Sequence, residues 1–119
     1  MDNPIQSALA DDGTVTVTVA GEIDYSNADD VSDGIRQALS TWQPPTLRVD
    51  LRRATFIDST GLGALIEGYR AATESGSGFA VINPTDTFRR VLTVTGLCDL
   101  FGLAEPEPAA MRSTEATGA

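Results

Sequence analysis

Residues 46–72 read TLRVDLRRATFIDSTGLGALIEGYRAA and change from one hydrophobic period to another. Over residues 46–51 every second side chain is apolar, which predicts a strand. From Leu62 onward the apolar side chains return every three or four positions, which predicts a helix. These side chains are Leu62, Leu65, Ile66, Tyr69 and Ala72. A strand, a short loop over residues 52–58 and a helix form part of a β–α–β unit, so this stretch indicates an α/β fold.

The residues before this unit predict a hairpin and a first helix. Residues 14–19 read TVTVTV and predict a firm strand, while residues 5–9 alternate more weakly. Asp12-Gly13 between them is typical of a tight hairpin turn. Residues 26–40 then take a helical period, and Ser26 or Asn27 is expected to cap the helix. Its predicted inner face consists of Ala28, Val31, Ile35, Ala38 and Leu39.

The residues after the unit predict one more strand and helix. Gly76 and Gly78 are expected to end the second helix, and the apolar run at residues 79–82 predicts a buried strand. Asn83-Pro84 is expected to start a third helix, which Gly96 ends. The predicted inward side chains of that helix are Phe88, Val91 and Leu92, with Thr95 as a further candidate. Alternation of strands and helices indicates a mixed sheet covered by helices.

The hydrophobic pattern of the sequence changes towards the end of the chain. Leu97, Leu100, Phe101 and Leu103 form a last apolar stretch that is expected to close the core. From residue 105 the sequence has low hydrophobicity and no period, which predicts a disordered tail. The expected organisation is one domain over residues 1–104 and a tail over residues 105–119.

Composition excludes several classes of function. The 119 residues hold eight Arg, no Lys and 17 acidic side chains, which gives a net charge of −9 and argues against nucleic-acid and anionic-membrane binding. No His is present, so histidine-based catalysis and metal binding are excluded. Cys98 is the single cysteine, which leaves no internal disulfide and no cysteine zinc site. No signal peptide or apolar span is visible, so a cytoplasmic protein without metal or cofactor is expected.

Ser59 and Thr60 lie where a loop enters the second helix, and two interpretations of Ser59 remain open. As a cap, its hydroxyl accepts a hydrogen bond from the first helical turn. As a phosphate acceptor, it holds the phosphate near the positive end of the helix dipole and near unpaired amides. Gly61 and Gly63 sit in the first turn, where glycine weakens a helix, and they let another backbone approach closely.

Four stretches of the chain resemble the STAS domain, and within it the bacterial anti-sigma factor antagonists. They are residues 21–24 followed by Ala28, residues 47–51, residues 56–65, and Asn83-Pro84 followed by residues 91–92 and 95–97. Together they span about residues 14–103, and residues 56–65, FIDSTGLGAL, are the most specific. The resemblance implies an α/β fold: a single STAS-like domain with a mixed four- to five-stranded sheet and helices packed on one face.

The resemblance also implies a function. The serine after the aspartate, here Ser59, is phosphorylated in that family by an anti-sigma factor that is a serine kinase of the histidine-kinase-like ATPase fold. The unphosphorylated antagonist binds the kinase and frees a sigma factor, the phosphorylated form lets go, and a PP2C-type phosphatase resets it. The implied partner-binding residues are Glu22, Asp24, Asp58, Thr60, Gly61, Leu62 and Gly63. A binding protein that is no enzyme, and a monomer or weak dimer, is expected.

Other interpretations stay open beside this one. The domain is alternatively a STAS scaffold, or a regulatory subunit of a stress-signalling complex or lipid transporter. Asp24 either contacts the partner or only opens the first helix. Arg52 and Arg53 either pair with acidic residues or, as a hypothesis, partly neutralise a phosphate on Ser59. A nucleotide-binding enzyme has little support, since no phosphate-binding loop is present.

Overall fold

The computed structural model describes residues 5–98 and 101–102. Within these residues the chain forms six strands and three helices, in an order that alternates after the first hairpin. The elements are β1 (Ile5–Leu9), β2 (Val15–Val19), β3 (Gly21–Ile23), α1 (Ala28–Trp42), β4 (Thr46–Asp50), β5 (Ala54–Ile57), α2 (Ser59–Glu74), β6 (Gly78–Ile82) and α3 (Asp86–Thr95).

The main sheet has the strand order β1-β2-β4-β6. β1 is antiparallel to β2, and the other two pairs are parallel, so the predicted hairpin and the mixed sheet are confirmed. The hairpin loop is longer than the expected two-residue turn: the Ala10 N–H donates to the Thr14 carbonyl at 2.8 Å. Only Gly13 of the Asp12-Gly13 pair has a positive φ, at 90°, which explains why a tight turn with two such residues does not form.

A second, two-stranded sheet pairs β3 with β5 in parallel. β3 was not predicted, and the predicted loop over residues 52–58 was wrong because residues 54–57 form β5. β3 is only three residues long, and the pairing shifts register between Gly21 and Glu22. β5 has no alternation, because Thr55 and Phe56 are both exposed. This small sheet leads directly into the start of α2.

The core lies between one face of the main sheet and the helices, as predicted. Val15, Val17 and Val19 are buried, and their parallel neighbours on β4 are the buried Leu47 and Val49. All five predicted inner residues of α1 are buried as well. Burying an aliphatic side chain of this size contributes about 1.5–3 kcal/mol, so this single face supplies much of the stability.

Helix α2 turns small side chains inward, which the sequence analysis did not anticipate. Leu65 and Ala72 are buried as predicted, but Leu62, Ile66 and Tyr69 are only half-buried. The other buried positions of α2 are Gly61, Ala64 and Gly68. A stripe of small residues lets α2 lie close to its neighbours, and the larger side chains therefore flank the contact.

Helix α3 differs in detail from its prediction. Thr85, not Asn83, caps it, and the Thr85 hydroxyl accepts from the Phe88 N–H at 3.2 Å. Phe88 and Leu92 are buried, but Val91 and Thr95 are exposed, so those two predictions were wrong. The helix ends at Gly96 as predicted, with φ at 77°.

The last apolar stretch is described only in part. Phe101 is fully buried and Leu97 partly buried, which agrees with the expected closing of the core. Leu100, Leu103 and the predicted tail over residues 105–119 lie outside the described residues. No helix in the described part of the chain is long and apolar enough to cross a membrane.

Candidate functional site

Asp58 caps helix α2. Its backbone is extended, and its Oδ1 accepts a hydrogen bond from the Gly61 N–H at 2.8 Å. The Asp58 carbonyl accepts the first helical bond, from the Leu62 N–H at 2.9 Å. The cap is therefore the acid before the serine, and the interpretation of Ser59 as the cap was wrong. Ser59 is instead the first residue of the helix.

Removing the cap should destabilise the fold by a modest amount. Asp58→Ala leaves the Gly61 N–H without its acceptor, and we expect a loss of about 1 kcal/mol in the free energy of unfolding. Urea unfolding measures the loss. Asp58→Asn is the matched control, because an amide oxygen caps about as well as a carboxylate. Equal stability of Asp58→Ala and the unchanged protein would contradict the assigned role.

Ser59 is exposed at the start of the 16-residue helix α2. Within the described residues its hydroxyl makes no hydrogen bond, and the N–H groups of Ser59 and Thr60 have no acceptor. Unpaired amides and the helix dipole favour negative charge at this place. A phosphate on Ser59 adds about −1.5 to −2 charges where the fold can accept them.

The two glycines of this turn have different surroundings. A Cβ on Gly61 would lie 2.5 Å from the Ile23 carbonyl oxygen and 2.8 Å from Ile23 Cγ2. A Cβ on Gly63 would meet nothing within 4 Å. The close backbone approach expected at Gly61 is therefore made by this chain itself. Only Gly63 leaves open space on the outside of the turn, beside the half-buried Leu62.

Asn27 holds the loop between β3 and α1. Its Oδ1 accepts from the Asp24 N–H at 2.9 Å, and its Nδ2 donates to the Glu22 carbonyl at 2.6 Å. Asn27, one of the two predicted caps, occupies the N-cap position of α1, but its side chain makes no cap bond. Ser26, the other expected cap, instead donates its hydroxyl to Asp24 Oδ1 at 2.6 Å. This function of Asn27 was not predicted, although an asparagine just before a helix is a known turn-forming signal.

The carboxylate of Asp24 is fixed by its neighbour. The Ser26 hydroxyl, and then the Ser26 N–H at 3.0 Å, both donate to Asp24 and lower its pKa from the ordinary value. Glu22 is exposed and lies directly before this fixed loop. Asp24 therefore stays charged at neutral pH, directly after the end of β3.

The structure places the two predicted parts of the site, residues 22–24 and residues 58–63, next to each other. The Asp58 N–H donates to the Ile23 carbonyl at 3.1 Å, so the end of β3 lies against the start of α2. Glu22 and Asp24 are thus placed beside the turn that carries Ser59. Arg52 and Arg53 are not, because they precede β5 while Ser59 follows it. The four extended residues of β5 separate Arg53 from Asp58, which is about 16 Å from one Cα to the other, so the hypothesis of phosphate neutralisation has no support.

Two exposed aromatic side chains belong to this region and were missed. Tyr25 is 82% exposed in the loop that Asn27 holds, and Phe56 is 55% exposed on β5. Glu22 and Phe56 are paired across the small sheet. Large exposed aromatic side chains are typical of protein interfaces. The available signal was an aromatic side chain directly after Asp24, in a segment with no helical or strand period.

Among the described residues, no group of three or more acidic or cysteine side chains is arranged to hold a metal ion. The region presents the exposed hydroxyl of Ser59, the acidic side chains of Glu22, Asp24 and Asp58, and open space beside Gly63.

Comparisons with known proteins give a consistent result. The model of the STAS domain family matches residues 7–117. An anti-sigma-B factor antagonist of Listeria monocytogenes is 29% identical over 110 residues, which cover 90% of this chain and 93% of the relative. A crystal structure of an anti-sigma factor antagonist from Mycobacterium paratuberculosis is 33% identical, with a TM-score of 0.70 over 83% of this chain and 84% of the other. The Bacillus cell fate determinant SpoIIAA in its phosphorylated form is 25% identical, with a TM-score of 0.62 over 78% and 84%.

Proposed function

The chain belongs to the STAS domain family, and on that premise we propose that it is an anti-sigma factor antagonist switched by a phosphate on Ser59. Relatives named as anti-sigma factor antagonists cover nearly its whole length. The observation that carries the switch is the state of Ser59: an exposed hydroxyl without a hydrogen bond within the described residues, beside a cap that Asp58 already provides. The Ser59 hydroxyl is therefore not needed to cap α2.

The proposed partner is an anti-sigma factor that is a serine kinase of the histidine-kinase-like ATPase fold. Unphosphorylated antagonist binds this kinase and competes with a sigma factor, which is released. The kinase transfers the γ-phosphoryl group of ATP to the Ser59 oxygen: the bond from the γ-phosphorus to the bridging oxygen breaks, ADP leaves, and the hydroxyl proton is lost. A PP2C-type phosphatase hydrolyses the phosphate and restores the binding form. In this scheme the chain is a kinase substrate and catalyses no step.

The proposed contact surface consists of the first turn of α2 and the end of β3. Thr60, Leu62 and Gly63 offer the outer side of the turn, and Glu22 and Asp24 offer charge on the neighbouring loop. Gly61 is buried against Ile23, and so we assign it to the shape of the turn. Asp58 contributes by capping the helix that carries Ser59.

A phosphate on Ser59 acts on the partner more than on the fold. Its charge is tolerated at the positive end of α2. A partner that packs closely over Ser59 and Gly63 meets a bulky dianion in the same place, beside the fixed carboxylates of Asp24 and Asp58. Steric overlap and desolvation of the phosphate then oppose the complex.

The test is affinity capture from a lysate of the host, with the unchanged protein, Ser59→Ala and Ser59→Asp as baits. We expect the unchanged protein and Ser59→Ala to retain a kinase of the stated fold, and Ser59→Asp to lose it. Incubation of the captured kinase with ATP should add one phosphate to the unchanged protein, detected by intact-protein mass spectrometry. Ser59→Ala should remain unmodified.

Two results would count against the proposal. Capture of the same proteins by all three baits would show that Ser59 controls no interaction. Recovery of a large scaffold or a transporter in place of a kinase would favour the alternative role, a STAS regulatory subunit. Circular dichroism of the three baits serves as the control, since all three should be equally folded.

A further inference from the structure

A groove of about 790 Å³ runs between strand β1 and helix α1, away from the residues of the Ser59 site. We call it the edge groove. One wall is the first part of β1, from Ile5 to Ser7, and the other is the face of α1 that runs from Asp30 through Gly34 to Trp42. α1 approaches closely at Gly34, where a Cβ would lie 3.0 Å from Ile5 Cγ2. The groove is therefore a fixed feature of the packing of α1 on the sheet.

Strand β1 forms an edge of the main sheet. The Ala10 N–H bonds to the Thr14 carbonyl, and in an antiparallel ladder the bonded pairs alternate with pairs that turn their backbone groups away. The pairs Leu9–Val15 and Ser7–Val17 are of the second kind. The N–H and C=O groups of Ser7 and Leu9 thus point outward, and no strand of the described chain bonds them.

Within the residues that the structure describes, β1 carries no charged side chain, proline or bulge. Native edge strands commonly carry a charged side chain, a proline or a bulge that prevents another strand from pairing. β1 reads IQSAL, and its register with β2 runs without a shift. Leu9 is 52% exposed beside these outward groups. An extended segment of another chain can therefore add to the sheet here.

The helix wall decides what kind of segment fits. Asp30 and Asp33 line the groove, and none of the described residues that line it is basic. Asp33 shares an ion pair with Arg36 at 3.2 Å, whereas Asp30 makes no ion pair within the described residues. Trp42, which is 36% exposed, provides an aromatic surface at the far end of the helix wall.

We propose that the edge groove binds an extended, basic segment of another protein as an added strand on β1. Backbone hydrogen bonds to Ser7 and Leu9 hold the segment, a basic side chain pairs with Asp30, and an apolar side chain covers Trp42. A second copy of this chain carries a net charge of −9 and is disfavoured. Residues 103–119 of the chain carry three Glu and one Arg, so the same repulsion disfavours this segment. The site is independent of the function proposed for Ser59.

The test uses a short peptide of alternating arginine and valine, read by the emission of Trp42, the single tryptophan of the chain. We expect a saturable change in emission, together with shifts of the Ser7 and Leu9 amide signals in NMR spectra. The same peptide with N-methylated backbone amides keeps its charge but cannot pair with the edge, and it should not bind. A peptide of alternating glutamate and valine should fail as well.

Two variants distinguish binding of the peptide in the edge groove from general electrostatic attraction of a basic peptide to an acidic protein. Asp30→Lys should weaken binding about tenfold, because an attractive charge becomes a repulsive one. Asp86→Lys is the matched control, since Asp86 occupies the first turn of α3 and the change in net charge is the same. It should leave the affinity within about twofold of the unchanged protein. Thermal unfolding of both variants shows that they fold.

Three results would overturn the proposal. Equal binding of the N-methylated peptide would mean that the β1 edge is not used. Equal weakening by Asp30→Lys and Asp86→Lys would mean that only net charge attracts the peptide. Protection of the Ser7 and Leu9 amides in a dimer observed by sedimentation, without peptide, would assign the edge to a second copy of the chain.

Discussion

Gly61→Ala should lower the free energy of unfolding by about 2 kcal/mol, even though alanine is the better helix former. The added methyl group would lie 2.5 Å from the Ile23 carbonyl oxygen, and backbone cannot rotate away as a side chain does. Either α2 moves outward or β3 shifts, and both changes disturb the bond between the Asp58 N–H and the Ile23 carbonyl. Denaturant unfolding followed by circular dichroism measures the loss.

Gly63→Ala is the matched control for this loss. The two glycines are two positions apart in one helix, but the Cβ of Gly63 would meet nothing within 4 Å. Replacing a helical glycine by alanine in open space should therefore stabilise the protein by up to about 1 kcal/mol. We therefore expect the free energy of unfolding to fall for Gly61→Ala and to rise for Gly63→Ala. Stabilisation by Gly61→Ala would mean that β3 does not lie against this turn.

Gly63→Arg should weaken binding of the proposed kinase by about 100-fold, which corresponds to about 2.7 kcal/mol. The long side chain would stand over the outer side of the first turn of α2, the space that the proposed partner covers. The fold has room for it, since nothing surrounds the Gly63 Cβ position within 4 Å. Isothermal titration calorimetry with the purified kinase measures the change in affinity.

The control for Gly63→Arg is an arginine elsewhere on the same helix. Thr73→Arg places the same charge on an exposed position near the end of α2, away from the turn. It should bind the kinase as the unchanged protein does. If Gly63→Arg also binds normally and folds normally, the partner does not cover this turn, and the contact surface proposed around Ser59 is wrong.

Local patterns in the sequence were sufficient for most of the elements. The alternation of Val15, Val17 and Val19 and the period of α1 each report which side of one element is buried, and all of these predictions were confirmed. Such patterns are reliable because a strand or helix with one apolar face must bury it. Where the local pattern was weak, as in β3 and β5, the strands were missed. Their pairing depends on backbone bonds between segments that are far apart in the sequence.

In the candidate site, too, some features follow from local sequence and others depend on contacts between distant segments. The sequence placed Ser59 at the start of a helix and implied its role through the resemblance to a family, but the predicted cap was Ser59 and not Asp58. Ser59 and Asp58 are both suitable caps by residue type. The choice of Asp58 is made by backbone conformation: Asp58 is extended and reaches the Gly61 N–H, while Ser59 is already helical. That conformation is fixed by the pairing of β5 with β3.

By itself, the sequence determined the α/β class, the strong strands, the helices and the position of Ser59, because these follow from periods and motifs within single segments. Tertiary structure alone decided that Gly61 packs inside while Gly63 faces outward, since the two residues are identical and differ only in what lies opposite them. It also decided that β1 lies at an open edge beside the acidic face of α1. Strand order and the approach of one backbone to another are long-range properties, and no local pattern encodes them.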